Sequence, residues 1–143
     1  MKALIKITAI LLLITACKSQ VVEPESYLDN LSGRYQNDET AIILLLEHYQ
    51  TNLDVIVHLD GKVFEAKGKY DKINKQVMFS GRCFYPQYGE MEISFILFVD
   101  ESKILSGNYI MQNQFWNTGS QLISFRFINK LGKGHDQGGI SEL

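Results

Sequence analysis

Apolar and polar residues alternate with a period of two along most of this chain. Leu53, Val55, Val57 and Leu59 alternate with Asp54, Ile56, His58 and Asp60, the pattern of a strand with one buried face. Asp60-Gly61 follows at once, a two-residue hairpin signal. Residues 62–70 set Phe64, Ala66, Gly68 and Tyr70 on one face and Glu65, Lys67 and Lys69 on the other. After a turn at Lys72-Ile73-Asn74, residues 76–84 form the next predicted strand, ended by Tyr85-Pro86-Gln87-Tyr88-Gly89. Residues 90–99 carry Met91, Ile93, Phe95, Leu97 and Val99 on one side. A turn at 100–103 leads into 104–111, and a loop with Phe115 and Trp116 leads into 121–129, where Ile123, Phe125 and Phe127 share a face. With 32–36 and 41–48, about eight strands follow one another through short loops. This predicts an all-β, antiparallel up-and-down meander, closed as a barrel or strongly coiled as a sheet.

One segment is ambiguous. Ala41-Ile42-Ile43-Leu44-Leu45-Leu46-Glu47-His48 is a continuous apolar run, for which periodicity does not separate a buried strand from a short helix. The isoleucines and the hairpin-like Gln50-Thr51-Asn52 favour strand. Residues 132–139 are rich in glycine and polar groups and bury too little to offset their ordering entropy. The expected organisation is a leader at 1–16, a cysteine with a short polar tether at 17–25, one β domain at 26–131 and a flexible tail at 132–143.

The leader begins with Lys2 and Lys6, continues through an apolar run at 7–14 broken only by Thr8, and ends at Ile14-Thr15-Ala16-Cys17. The run is too short to span a bilayer, which takes about 20 residues, and fits a secretory signal. The four residues resemble the lipobox of bacterial lipoproteins. The resemblance implies cleavage before Cys17 and a thioether-linked diacylglycerol on its sulfur, often with a third acyl chain, such as palmitate, on the amine. Two or more chains anchor a protein stably. The expected location is the cell envelope. Lys18 stands where an aspartate would favour inner-membrane retention, so the resemblance implies the outer membrane of a Gram-negative host.

Leu31-Ser32-Gly33-Arg34-Tyr35 opens the domain, and Gly68-Lys69-Tyr70 and Gly107-Asn108-Tyr109 repeat its Gly-x-Tyr unit. Over about residues 31–130 this cadence resembles the lipocalin and avidin (calycin) group of up-and-down barrels. The resemblance implies a barrel able to enclose one small ligand. Two departures qualify it. The chain has one tryptophan, Trp116, placed in a loop, so biotin binding is not implied, and the opening aromatic is Tyr35 rather than tryptophan.

Composition narrows the function. The formal charge is −2 at pH 7 and becomes more acidic once Lys2 and Lys6 leave with the leader, which argues against a nucleic-acid partner. With Cys17 lipidated, Cys83 has no intramolecular disulfide partner, and alternation places it inward beside Val77 and Phe79 as a small apolar residue. Aromatic residues make up 11% of the chain. Tyr35, Phe64, Tyr70, Phe79, Phe95, Phe125 and Phe127 are the candidate interior, as a packed core or as the lining of a ligand cavity. Trp116 and Phe115, with Tyr85 and Tyr88 in a second loop, are candidate rim contacts. Ile96 and Phe98 fall on the outward face of their strand, as a partner surface or as residues covered by Tyr27 and Leu28. His48, His58 and His135 are scattered, and Glu90 and Glu92 share an outer face without a catalytic motif around them. No cofactor, metal or enzymatic activity is expected. The expected function is a membrane-anchored binding module for a small apolar or amphipathic ligand. The alternative is an interaction lipoprotein with a filled barrel that docks on an envelope protein.

Overall fold

The computed structural model describes residues 27–132; the leader, Cys17, the tether and the tail beyond Gly132 lie outside the described residues. A 3-10 turn, Tyr27–Asp29, precedes eight strands: β1 (Gly33–Gln36), β2 (Ile43–Tyr49), β3 (Asn52–Leu59), β4 (Lys62–Asp71), β5 (Gln76–Tyr85), β6 (Gly89–Val99), β7 (Ile104–Gln112) and β8 (Gln121–Asn129). Each strand pairs antiparallel with the next, and β8 pairs with β1, so the meander closes into a barrel. The closing seam matches Tyr35 with Phe127 and Gln36 with Arg126, with a register irregularity between Arg34 and Tyr35. This is the all-β architecture expected from the period-two pattern, and it is compatible with a calycin-like body.

Pairing settles the ambiguous apolar run. Residues 43–49 form β2, hydrogen-bonded to β1 on one side and β3 on the other. Leu44 and Leu46 point into the core, while Ile43 and Leu45 are half-buried on the outside. The run was unbroken because the outward positions Ile43 and Leu45 are apolar and half-buried beside the buried Leu44 and Leu46, which hides the alternation that normally marks a strand.

Local chemistry fixes the register. Asp60 and Gly61 both have positive φ, 51° and 72°, as a tight two-residue hairpin requires. Two of the Gly-x-Tyr glycines sit where a neighbouring backbone comes very close. A methyl group on Gly68 would overlap the Met78 carbonyl, and one on Gly107 would overlap the Ile96 carbonyl. Glycine there lets the strands curve tightly enough to close.

The inward positions make one apolar core, with Tyr35, Phe95, Phe125, Leu44, Met91 and Ile93 among its fully buried members. Leu31 seals the end at which the chain enters. The Tyr35 hydroxyl donates to the Leu31 carbonyl at 2.7 Å, and the Leu31 N–H donates to His48 Nδ1 at 3.2 Å. His48 Nε2 therefore carries the proton and donates to the Gln50 carbonyl at 2.6 Å. At the same end, Asp29 forms an ion pair with Lys72 in the β4–β5 turn. The barrel thus has a proximal end, where the chain arrives from residue 26, and a distal end formed by residues 37–42, 60–61, 86–88 and 113–120.

Candidate functional site

The sequence pointed to three places: the interior, the outward face of β6 and the aromatic loops. In the interior, Tyr35, Phe64, Tyr70, Phe79, Phe95 and Phe125 are all buried, and Phe127 packs partly buried against them. Phe79 stacks on Phe95 with ring centroids 4.7 Å apart, and Tyr109 stacks on the same ring at 5.5 Å. Phe127 meets Tyr35 edge-on at 5.3 Å. Such pairs contribute about 0.5–1.5 kcal/mol each beyond the area they bury. The rings occupy one another's contact surfaces.

Tyr85 departs from expectation. It is the last residue of β5 and points inward, buried, rather than lying in the loop before Pro86. The alternation of β5 continues one step further than the nearby proline suggested. Burial pushes the phenol up to about 12, helped by the Cys83 thiol and Asp60 nearby. The hydroxyls of Tyr85 and Tyr70 are buried without a hydrogen-bond partner. Cys83 is buried, as alternation indicated, and burial raises its thiol pKa against a smaller opposing effect of Lys62. A thiol so placed is poorly suited to nucleophilic chemistry.

On the outside, Ile96 and Phe98 are 46% and 48% exposed. Leu28 does not cover them, because it packs on the core. Met78 on β5 lies directly across from Ile96 and is also exposed, so three apolar side chains share one outer patch. Sequence reading missed Met78, whose role depends on the β5–β6 register.

The distal loops bring Trp116 to the rim and not to the interior cluster. Trp116 stacks on Tyr88 with centroids 4.6 Å apart and planes 9° from parallel. Phe115 beside it is 86% exposed. Asn113 holds this arrangement: its Oδ1 accepts the N–H groups of Phe115 and Trp116 at 2.9 Å each, and its Nδ2 donates to the Tyr88 carbonyl at 2.7 Å. Asn113 also lines a polar groove of about 260 Å³ with Arg82, Glu90, Glu92, Gln112 and Gln114. Glu90 and Glu92 therefore do share an outer face, and Arg82 Nη1 lies 3.8 Å from Glu90 Oε1.

His48 acts in the hydrogen bonds that seal the proximal end, and His135 lies outside the described residues. Among the described residues, no three His, Cys, Asp or Glu side chains converge as a metal site. No family model, curated protein or solved structure matches this chain.

Proposed function

We propose that this chain is an extracytoplasmic lipoprotein, held to a membrane of the cell envelope by lipid on Cys17, whose barrel docks on an envelope protein. In a Gram-negative host, Lys18 favours the outer membrane. The docking surface is the Met78, Ile96 and Phe98 face. The observation that carries this reading is the contrast across β6, where the inward side chains are buried against one another and Ile96 and Phe98 stay exposed. These side chains are already about half covered, so completing their burial yields roughly 1 kcal/mol each, about half the value for a fully exposed side chain, and the patch favours association.

The barrel as a carrier of a small apolar or amphipathic ligand is the second reading. It is supported by the buried Tyr85 hydroxyl without a partner, at the end of β5 and beyond the Ala66–Gly81 pair at which its ladder with β4 stops. A polar-headed ligand entering between the ends of these strands would satisfy that hydroxyl.

The test is the Ile96→Lys variant, expressed with its leader in the native host. Loss of a co-purifying envelope protein with the fold retained is the expected result. Retention of every interaction counts against docking through this face. The anchor has its own test: Cys17→Ser should leave an unprocessed or soluble protein, and normal membrane anchoring of that variant would sink the lipoprotein reading.

A further inference from the structure

The proximal end carries an isoleucine that the fold does not use. Ile73 stands in the β4–β5 turn and is 93% exposed, the most exposed large hydrophobic among the described residues. Its neighbours make the turn. Asp71 Oδ1 accepts the Ile73 and Asn74 N–H groups at 3.0 and 3.1 Å, and Asn74 Nδ2 donates to Asp71 Oδ2 at 2.6 Å. Aspartate and asparagine are turn-forming residues, and a β-branched side chain adds nothing to such a turn. The neighbouring turns at this end carry polar residues at their tips, Gln50-Thr51 and Glu101-Ser102. We propose that the β4–β5 turn is a membrane contact, with Ile73 entering the headgroup region of the bilayer that holds the Cys17 lipid. The proposal rests on the lipoprotein reading above.

Position makes a lipid surface the occupant. Lys72, next to Ile73, pairs with Asp29 in the 3-10 turn through which the chain enters the domain. The exposed isoleucine and the arriving chain therefore lie side by side. Ten peptide steps separate Cys17 from Tyr27, a reach of at most about 35 Å. A tether this short keeps the proximal end at a high effective concentration over the bilayer, so a small apolar contact is enough to orient the barrel. The comparably exposed Leu122 and Phe115, at 87% and 86%, lie at the distal end, away from the anchor.

The turn is also prepared to lose water. Asp71 already satisfies the Ile73 and Asn74 N–H groups, which removes much of the cost of taking this backbone into the interface. Lys72 faces Asp29, and Lys75 Nζ lies 4.0 Å from Glu101 Oε1. The charges beside Ile73 are locally balanced, so the contact depends on apolar burial and not on anionic lipid. Tyr49, 55% exposed, flanks the next turn, which is tied to β4 where the Thr51 carbonyl accepts the Tyr70 N–H at 2.9 Å. Tyrosine suits the membrane–water interface. Seated this way, the barrel holds its distal loops away from the bilayer.

Tryptophan emission reads this orientation, because Trp116 is the single tryptophan of the chain and belongs to the distal loops. The full chain is exported in its host, purified in detergent and reconstituted in phosphatidylcholine vesicles, with and without bromine near the top of the acyl chains. Mass spectrometry of the N-terminal peptide reports lipid on Cys17. In a Trp116→Phe background, Ile73→Trp should show a blue shift and a loss of emission in the brominated vesicles. Native Trp116 should keep its emission. So should Leu122→Trp in the same background, which controls for the affinity of tryptophan itself for interfaces. Equal emission of the Ile73→Trp chain in both vesicles, with lipid found on Cys17, would overturn the proposal and leave the anchor standing. Equal loss from Ile73→Trp and Leu122→Trp would also overturn it, since no end of the barrel would then be preferred. A chain without lipid on Cys17 would remove the anchor and this proposal with it.

Discussion

Phe95 and Phe98 lie three residues apart on β6 and meet opposite fates. Phe95 is fully buried, with Phe79 and Tyr109 stacked on it and Phe125 tilted against it at 6.2 Å. Phe98 is half exposed on the outside, across the ladder from Gln76 and Ser106. Both are phenylalanines on one strand, so the difference comes from the pleat alone: one face looks into the closed barrel and the other does not. An apolar residue on the inward face holds the fold. The same residue on the outward face is only half covered by the fold and leaves apolar surface exposed. The comparison separates the face that holds the fold from the face on which the proposed docking rests.

The largest effect should come from the inside. Phe95→Ala removes the ring on which three others rest and should cost about 3–5 kcal/mol, seen as a fall in the chemical-denaturation midpoint. A loss below about 1 kcal/mol would mean the interior is not packed as described. Tyr35→Phe keeps the ring but leaves the Leu31 carbonyl without its 2.7 Å donor. It should cost about 1–3 kcal/mol, with faster amide exchange around Leu31.

Alkaline titration sharpens the same contrast. Tyr85 is held protonated up to about pH 12 in the folded barrel, while an unfolded tyrosine ionises near pH 10. The unfolded chain therefore releases this proton first. The stability linked to Tyr85 is full below about pH 10 and is lost as the pH rises through about 12. Tyr85→Phe should flatten that loss in denaturation curves taken across this range. Equal slopes for parent and variant would place Tyr85 in water instead. The smallest effect belongs to the outside: Phe98→Ser should change stability by no more than about 0.5 kcal/mol. A loss of several kcal/mol would show that the patch belongs to the core.

The alternation made the barrel legible because most strands keep one wet face. The strands from β3 to β8 stand where the alternation placed them, and the Asp60-Gly61 turn has the positive φ values that its residues require. β2 was hard to read because its outward face also starts with apolar residues, Ile43 and Leu45, which are half-buried. Tyr85 was misplaced because proline marks the end of pairing and not the end of alternation. Asn37 gave no signal, yet it is buried. Its Nδ2 donates to the Ser124 carbonyl at 2.8 Å, and its Oδ1 accepts the Glu39 and Thr40 N–H groups. The Glu39 and Thr40 bonds are a local turn, but the Ser124 partner that comes with burial is set by barrel closure, which brings residues 87 apart in sequence together.

The candidate surfaces were legible in part for the same reason. Ile96 and Phe98 stood out because they break the polar rule on an outward face. Met78 does so too, but its place beside Ile96 follows from the β5–β6 register, which sequence spacing does not supply. Trp116 was visible as a loop aromatic. Its stack on Tyr88 depends on two loops 25 residues apart meeting through Asn113.

Docking through the outer β5–β6 face places a partner within reach of a crosslinker carried there. The most direct measurement is in-cell photo-crosslinking, with a benzophenone side chain at position 98 on β6 and, separately, at the exposed Ile56 on β3 as a control. A discrete protein adduct from position 98, absent from position 56, is the predicted result. No protein adduct from position 98, or the same adducts from both positions, would contradict it.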